Sequence, residues 1–478
     1  MTNNWREKMK DYYFIGAAAV GVASALYWYY KDDAIGVTAK VDKSVKRSTP
    51  RITEELLSPE FENATTISIP FSEPYIFIND PESVEYVTST NFDNYVKGKF
   101  TKSRMTDVLG NGIFNTDGHD WYVQRKLSSK VFTNKNFKTN IDTVFTDNIN
   151  ILLKVLNDHA SEAKLIDMHN IFHRYFMDSF GKIAYGIDLQ SLEKGSAAFV
   201  SSFDRAQNAM ADRFTSAFWF ITDKFDFKLQ RDIKLVRSFG HKVVEDRKKN
   251  GTPSNNHDLL SLFMEYRHDD GTSLTNEELA DHVINFILAG RDTTAQALSW
   301  CLFCLHQNPK VKEQVFKEID ETLGEELIPK YEQIKKMRYI NAVFKETLRL
   351  YPSVPREGKS ALNDDVLPNG TKIPRGAIVA WLPYAMGRSD KIWKSPEQFL
   401  PERWLSGKQP TQYEFPSFNC GPRICLGKSL AEIQGVFTLV SILCQFDFNI
   451  ENTASVTMKQ SLSLPMKYGL QCSITRRN

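Results

Sequence analysis

The residues with the most specific chemistry lie in the run FNCGPRICLG at positions 418–427. Cys425 stands near the end of this run, and from Leu426 onward the pattern is that of a helix. A cysteine that binds a metal must stay deprotonated, which requires backbone N–H donors at the sulfur and the positive end of a following helix. Gly421 and Gly427 allow the tight turn that brings such donors to the sulfur. The run therefore predicts a stabilised thiolate at Cys425.

Two further residues make haem iron with one axial thiolate the best candidate for the metal. Arg423 offers a pair of N–H donors to a haem propionate, and Phe418 can shield the porphyrin face on the cysteine side. The alternative is a buried structural cysteine in a glycine-rich turn. The combination of specific residues favours haem, so Cys425 is the predicted iron ligand and Gly427 a predicted part of the haem site.

A second candidate site lies within a long apolar segment. Thr275 and Glu278 form a capping box at its start and Asn308-Pro309 ends it, so we predict one helix of about 50 Å. Its middle reads AGRDTT at 289–294. Only a large helical body accommodates an element of this length.

The small and polar residues of this segment suit a groove for dioxygen and water. Ala289 and Gly290 present almost no side chain, so a flat ligand can approach the helix backbone. The Thr293 hydroxyl can compete for the Ala289 carbonyl and bend the helix locally. Asp292 can relay protons from outside. The alternative is a helix with two small packing residues and a polar face.

Two pairs of residues are placed on common helix faces by their spacing. Glu346 and Arg349, three residues apart, can form an ion pair. Trp121 and Arg125, four residues apart, can offer an indole N–H and a guanidinium to the same propionate. The alternative for either pair is a solvated surface contact.

Taken in chain order, these motifs resemble the haem-thiolate signatures of the cytochrome P450 superfamily. The resemblance implies a mainly α fold with a small β region, one large helical domain, and haem b held by Cys425. It implies that Asp292 and Thr293 deliver protons to oxygen. It adds Arg403 as a third member of the Glu346 cluster, with a structural role, and Lys359 as a further cation at the propionates.

Three longer segments, at 109–126, 288–300 and 351–371, resemble the eukaryotic fatty-acid hydroxylase group of that superfamily. This implies insertion of one oxygen atom of O2 into a C–H bond of a long-chain fatty acid at or near the methyl end. Electrons would come from NADPH through a separate flavoprotein reductase, with cytochrome b5 as an additional donor. Lys126, Lys130 and Lys428 are candidate contacts for the reductase.

Three alternatives to the fatty-acid hydroxylase stay open. The first is a sterol or xenobiotic monooxygenase with a broad apolar pocket. The second is a peroxide-rearranging relative, which Asp292 and Thr293 disfavour because it would not need them. The third belongs to another class, a membrane-tethered haem sensor or carrier without turnover.

The substrate space is expected to be apolar, with cations at its mouth for a carboxylate. The expected lining residues are Leu109, Ile113, Phe114, Phe286, Ile287, Leu288, Val354, Leu462 and Leu464. Lys97, Lys99 and Lys102, on the loop before them, are the expected carboxylate contacts. Phe114 and the stretch 352–355 could narrow the channel so that only the chain end reaches the iron.

The N-terminus has the features of a membrane anchor. Residues 12–30 are 19 residues without a charge, flanked by aromatics, and as a helix they would span about 28 Å. We predict an anchor at 1–31, a tether at 32–51 and a catalytic domain at 52–478. The heavier basic flank follows the span, which predicts a cytosolic body, for which the endoplasmic reticulum is the expected membrane.

Composition sets broad limits on the class of protein. The net charge of +2 over 478 residues does not favour nucleic-acid binding. Six cysteines are too sparse for a disulfide scaffold and predict a reducing compartment. Cys301 and Cys304 are expected to be core residues, and His282 a core or channel residue.

Strand signals occur near 65–78 and 366–385, with a hairpin at Pro368-Asn369-Gly370.

Overall fold

The computed structural model describes residues 65–67, 73–133, 139, 141–195, 198–216, 218–251, 258–405, 407–459 and 461–477. The predicted anchor at 12–30 and the tether at 32–51 lie outside this part of the chain. Within the described ranges, no helix is both long and apolar enough to cross a membrane.

Helices form most of the described chain, which confirms the mainly α prediction. Their bounds are α1 Pro81–Glu85, α2 Gly98–Leu109, α3 Gly118–Ser129, α4 Thr146–Ser161, α5 Met168–Tyr185, α6 Ser191–Lys194, α7 Ala198–Arg213, α8 Trp219–Phe225, α9 Phe227–Asn250, α10 Leu259–Glu265, α11 Asn276–Gln307, α12 Pro309–Leu323, α13 Tyr331–Lys336, α14 Arg338–Leu350, α15 Pro383–Met386 and α16 Lys428–Leu443.

The strands form a small β region, also as predicted. They are β1 Thr65–Ile67, β2 Tyr75–Ile78, β3 Tyr95–Val96, β4 Ile166–Asp167, β5 Glu357–Ala361, β6 Asp365–Val366, β7 Lys372–Ile373, β8 Ile378–Trp381, β9 Phe446–Ile450 and β10 Gln471–Arg476. One sheet has the order β1-β2-β8-β5-β3, with β2 and β8 parallel. A second has the order β4-β10-β9. The predicted hairpin is confirmed by the antiparallel pair β6-β7.

Helix α11 is the predicted long helix, with the predicted ends. Thr275 is its N-cap, and both hydrogen bonds of the capping box with Glu278 are present. Asn308 is its C-cap, and Pro309 begins α12. The helix packs along α5 on one side and α9 on another.

The two largest apolar clusters of the described residues meet along α11. The N-terminal half of the helix contributes residues such as Leu279 and Phe286 to a cluster with α2, α7, α9 and α10. The C-terminal half contributes Leu298 and Trp300 to a cluster with α4, α5, α14 and α16. Cys301 and Cys304 are buried in the second cluster, which confirms that they are core residues. His282 is also a core residue, with its ring stacked on Phe263 at 3.9 Å.

Candidate functional site

The loop that carries Cys425 is built from two short 3₁₀ turns, Pro416–Phe418 and Gly421–Arg423, followed by α16. The Cys425 N–H donates to the Phe418 carbonyl at 2.8 Å, which closes the loop. Gly421 has a φ of +60°, and a Cβ at this position would lie 2.1 Å from the Thr88 carbonyl oxygen. Only glycine fits there, as the sequence predicts.

Gly427 differs from the expectation. Its φ is −85°, an ordinary value, and a Cβ would meet the Cys425 sulfur at 3.9 Å, an ordinary contact. The tight turn is instead completed by Asn419, a non-glycine residue with a φ of +60°. Gly427 serves as the N-cap of α16, so the helix begins three residues after Cys425.

The surroundings of Cys425 suit a thiolate better than those of Cys420 do. Burial raises the pKa of the Cys425 thiol, but the Gly427 backbone N–H and the charges of Arg125 and Lys428 act to lower it. Burial raises the pKa of Cys420 to about 12, and its thiol donates to the Gln412 carbonyl at 3.1 Å. Cys425 is the accessible one of the two, while Cys420 is buried. Cys425 is therefore the better candidate ligand.

Next to the Cys425 loop, the structure brings together the aromatic and cationic residues predicted from the sequence. The guanidinium carbon of Arg423 lies 4.5 Å from the Trp121 ring centre, and that of Arg125 lies 5.9 Å from it. Arg423 donates to Asp117 at 2.9 Å, yet its buried Nε has no hydrogen-bond partner among the described residues. Lys359 is buried, and its Nζ also has no such partner.

The cations of this cluster repel one another. Burial, together with the charges of Lys97 and Arg423, holds the pKa of the Lys359 ammonium well below its ordinary value. Burial of an unpaired ammonium is costly, so its presence indicates an anionic ligand. The two carboxylates of haem fit this requirement, and the adjacent thiol of Cys425 fits the iron. The residues present therefore suit a haem group held by Cys425, Arg423, Lys359, Arg125 and Trp121.

Lys97 is a residue of this cluster that the sequence analysis assigned elsewhere. It precedes α2, and its side chain lies 3.8 Å from Glu357. The charge of Lys97 helps to lower the pKa of Lys359, and the charge of Arg423 helps to lower the pKa of Lys97 itself. The expected contact of Lys97 with a substrate carboxylate stays a prediction, although the side chain lies among the cations that suit a haem propionate. No local pattern separates Lys97 from the neighbouring Lys99, so the assignment needed the fold.

Helix α11 has one accessible segment between two buried ones. Leu288, Ala289, Gly290 and Thr293 are partly accessible, whereas residues 279–287 and 294–302 are buried. The Thr293 hydroxyl donates to the Ala289 carbonyl at 2.7 Å, which confirms the predicted backbone contact. This polar contact thus lies in the partly accessible segment of α11.

Gly290 has a packing role in the structure. A Cβ at this position would lie 2.1 Å from a ring carbon of Phe180 on α5. The missing side chain therefore allows α5 to approach α11, and the contact of Gly290 with the cofactor stays a prediction.

The Asp292 side chain contacts residues of α5 and α7. It lies 3.2 Å from His173 and 3.2 Å from Arg291, and it accepts a hydrogen bond from Gln207. Burial raises the pKa of Asp292, but the charge of Arg291 and the contacts of His173 and Gln207 outweigh it and lower the pKa to about 2. Asp292 can be singled out from the sequence, whereas its contacts with His173, Arg291 and Gln207 cannot.

The Glu346 cluster is confirmed as a buried triad. Arg349 donates to both carboxylate oxygens of Glu346, at 2.9 and 2.8 Å, and both side chains are fully buried. Arg403 adds a third contact at 3.0 Å, and the Trp404 indole donates to Glu346 at 2.8 Å. The cluster joins α14 to the loop before the Cys425 run, which fits a structural role.

Comparisons with known proteins identify the family. The sequence model of the cytochrome P450 family matches residues 57–471. Cytochrome P450 704B1 of Arabidopsis thaliana is 34% identical over 469 residues, which cover 87% of this chain and 89% of that protein. Cytochrome P450 monooxygenase cyp1 of Mycosarcoma maydis is 32% identical over 477 residues, 91% of this chain and 74% of that protein. The chain belongs to the cytochrome P450 family.

This membership confirms the class predicted from the sequence. The protein is a haem-thiolate monooxygenase, and it receives its electrons from a reductase partner. Members of the family act on hydrophobic substrates, which suits the apolar interior around α11.

Proposed function

We propose that this protein hydroxylates long-chain fatty acids at or near the methyl end, with haem b held by the Cys425 thiolate. The observation that carries this proposal is the pair Arg356 and Arg104, neither of which forms an ion pair with an acidic residue of the described chain. Haem, when bound, supplies the activation of dioxygen. The chain's own residues bind and orient the substrate, exclude water and deliver protons.

The apolar lining that supports this proposal is smaller than the sequence suggested. Phe114, Leu288, Val354 and Leu462 are partly accessible and stay candidates. The remaining expected lining residues are buried in the core: Leu109, Ile113, Phe286, Ile287 and Leu464. The four partly accessible side chains are all apolar, which suits an alkyl chain.

Phe114 is held firmly enough to act as a constriction. Its backbone N–H donates to Asn285 on α11 at 3.3 Å, and the Asn111 N–H donates to Asp281 at 2.7 Å. A Cβ on Gly112 would lie 2.1 Å from the Asn285 amide, so glycine is what allows this close approach. The backbone that carries Phe114 is therefore tied to α11, and we infer that an aromatic side chain on this segment favours the chain end over inner methylenes.

The substrate carboxylate needs a cation other than the lysines first expected. Lys97 lies by Glu357, and Lys102 lies 3.1 Å from Asp117. Lys99 is exposed on the outer surface. Two of the three lysines are therefore already close to carboxylates.

Arg356 and Arg104 are better candidates for the carboxylate. The Arg356 guanidinium lies 5.9 Å from the Phe214 ring centre and has no acidic partner within ion-pair distance in the described chain. Arg104 stacks on Phe100 at 3.5 Å and donates to backbone carbonyls. Burial lowers the pKa of both guanidinium groups, and the nearby Tyr75 acts against this. A carboxylate between them would relieve that cost.

Product analysis tests the proposal. The purified protein is incubated with reductase, NADPH and a series from laurate to oleate, and hydroxylated products are identified by mass spectrometry. Hydroxylation at the terminal or adjacent carbon supports the proposal. Turnover of a sterol or a small aromatic with no oxidised fatty acid contradicts it and favours the broad-pocket alternative.

A comparison of a fatty acid with its uncharged ester tests whether Arg356 binds the substrate carboxylate. Arg356→Met should raise the KM for laurate at least about tenfold, because a charge-assisted contact contributes about 1.5–3 kcal/mol. The KM for methyl laurate should not change, since the ester has no charge. Lys99→Met is the matched control. An equal effect on acid and ester would assign Arg356 to packing.

We also propose that the protein is anchored in the endoplasmic reticulum membrane by residues 1–31, with the catalytic domain in the cytosol. A patch of exposed apolar side chains supports contact of the body with lipid. Phe220, Ile221, Phe225 and Phe227, on and beside α8, are 47–80% exposed. Such a cluster is more apolar than an ordinary protein surface.

A further inference from the structure

Two histidines on α5 lie against the part of α11 that carries Asp292. His169 and His173 are four residues apart, so they share one face of the helix. Their ring centres are 4.6 Å apart with an interplanar angle of 72°. Nδ1 of His173 lies 3.2 Å from the Asp292 carboxylate. The three side chains form a continuous row.

The row is buried at one end and partly accessible at the other. The Asp292 side chain is 2% exposed and that of His173 is 12% exposed. His169 is partly exposed, and the next residue, Asn170, is exposed. The order Asp292, His173, His169 therefore runs from the interior toward solvent.

The ring nitrogens of His169 and His173 differ in their hydrogen bonds, and those of His173 stay available to exchange a proton. Nδ1 of His169 lies 3.0 Å from the Ser299 hydroxyl, and that hydroxyl donates to the Ala295 carbonyl. Neither ring nitrogen of His173 has a well-formed hydrogen bond in the described chain, including the one at 3.2 Å from Asp292. A buried imidazole of this kind is suited to exchanging a proton with water or with a carboxylate.

Charged and polar groups of α7 and α11 surround the Asp292 end of the row. Arg291 is the other cation near Asp292, and it is also bound by Asp204 of α7 at 2.7 Å. Gln207, also on α7, holds the second Asp292 oxygen. The lowered pKa of Asp292 keeps its carboxylate ionised at neutral pH, so a proton that it receives stays there only transiently. Burial of the ring and the charge of His173 hold the pKa of His169 well below its ordinary value, so this imidazole is neutral at neutral pH.

We propose that His173, supplied through His169, is a positioning residue that passes protons from solvent to Asp292 and onward to the groove at Thr293. In one step the N–H bond of protonated His173 breaks and an O–H bond forms on Asp292. His173 then takes a proton from His169 or from water. No electron moves in this step, because the reductase supplies the electrons of the monooxygenase reaction.

Hydrogen exchange at the ring carbon between the two nitrogens tests solvent access without any turnover. The wild-type holoprotein is kept in D2O, and each histidine is followed by mass spectrometry of its peptide. His169 and His173 should exchange several-fold faster than His282, which is buried in its stack on Phe263. Exchange of His173 as slow as that of His282 would overturn the route.

Substitution tests proton transfer itself. His173→Gln should keep the thiolate-type carbon monoxide spectrum and the substrate affinity. Product formed per NADPH should fall about tenfold, less than the roughly 100-fold that a positioned proton donor can contribute, because water replaces part of the route. The solvent deuterium isotope effect on product formation should rise.

His282→Gln is the matched control, since it removes a buried histidine from α11 at a distance from Asp292. It should leave the product ratio and the isotope effect at wild-type values. A His173→Gln protein with a wild-type product ratio and isotope effect would show that His173 is only structural.

Discussion

Charge balance around the haem site depends on single residues. Lys359 is a buried ammonium with no hydrogen-bond partner in the described chain, next to Lys97 and Arg423. Such a group destabilises the folded protein unless an anion accompanies it. We therefore expect haem to stabilise the residues proposed to bind it, so that replacing one of them should change haem retention measurably.

Replacement of Lys359 should weaken haem retention. Lys359→Met removes a cation proposed to meet a propionate, and a hydrogen bond to a charged group contributes about 1.5–3 kcal/mol. Haem transfer to apomyoglobin should be about tenfold faster than from the wild-type protein. Lys372→Met, at an exposed lysine of β7, is the matched control and should have no effect.

The two cysteines of the loop should behave differently. Cys425→Ala should abolish the thiolate-type carbon monoxide spectrum of the reduced protein, because only Cys425 has the Gly427 N–H and the start of α16 beside it. Cys420→Ala should keep that spectrum, since its thiol contacts the Gln412 carbonyl. The opposite result would make Cys420 the ligand.

Among the helices and loops, several contacts could be predicted from local signals in the sequence. The capping box, the Thr293 contact and the pairing of Glu346 with Arg349 each involve residues three or four apart, so periodicity alone specifies them. The positions of Lys97 and His173 could not be predicted in this way. Their partners lie more than 100 residues away, and only the packing of separate elements brings them together.

The buried Glu346 triad should carry much more stability than a surface pair. Glu346→Ala leaves Arg349 buried without a carboxylate, which should cost about 3–5 kcal/mol. Denaturant unfolding of the holoprotein measures this loss. The matched control is Glu321→Ala, because Glu321 forms an exposed i,i+4 pair with Lys317 worth less than about 1 kcal/mol. Equal costs would contradict the structural role of the triad.

Helix α3 presents cations that a reductase could meet. Lys126 and Lys130 are exposed, and they lie on or just after the helix that carries Arg125. Charge reversal of both should weaken the apparent reductase affinity, more strongly at low salt because surface charges are then less screened. Reversal of the exposed Lys248 and Lys249, at the end of α9, is the matched control. An absence of salt dependence would contradict electrostatic docking.

On the scale of the whole molecule, two apolar clusters meet at α11 and leave one accessible segment between them. The predicted oxygen groove, the proposed proton row and the candidate substrate lining all lie at this junction. The sequence predicted the helix and the polar residues in it. It did not separate lining residues from core residues, because both are large and apolar, and only the fold decides which face an interior space.

The exposed patch beside α8 should act as a second membrane contact. A protein lacking residues 1–31 should still bind haem, since the predicted haem residues all lie beyond residue 120. It should also retain weak binding to lipid vesicles. Because burial of each phenylalanine contributes about 1.5–3 kcal/mol, serine at Phe220, Phe225 and Phe227 should weaken that binding at least about 100-fold.

The matched control for the patch uses exposed apolar residues elsewhere. Leu327→Ser with Tyr468→Ser removes two side chains that are each 57% exposed, without touching α8. This variant should bind vesicles as the truncated protein does, as measured by co-sedimentation. Equal loss from both variants would mean that attachment is unspecific. No vesicle binding by the truncated protein would leave the predicted N-terminal anchor as the only attachment, and the patch would then face water or another protein.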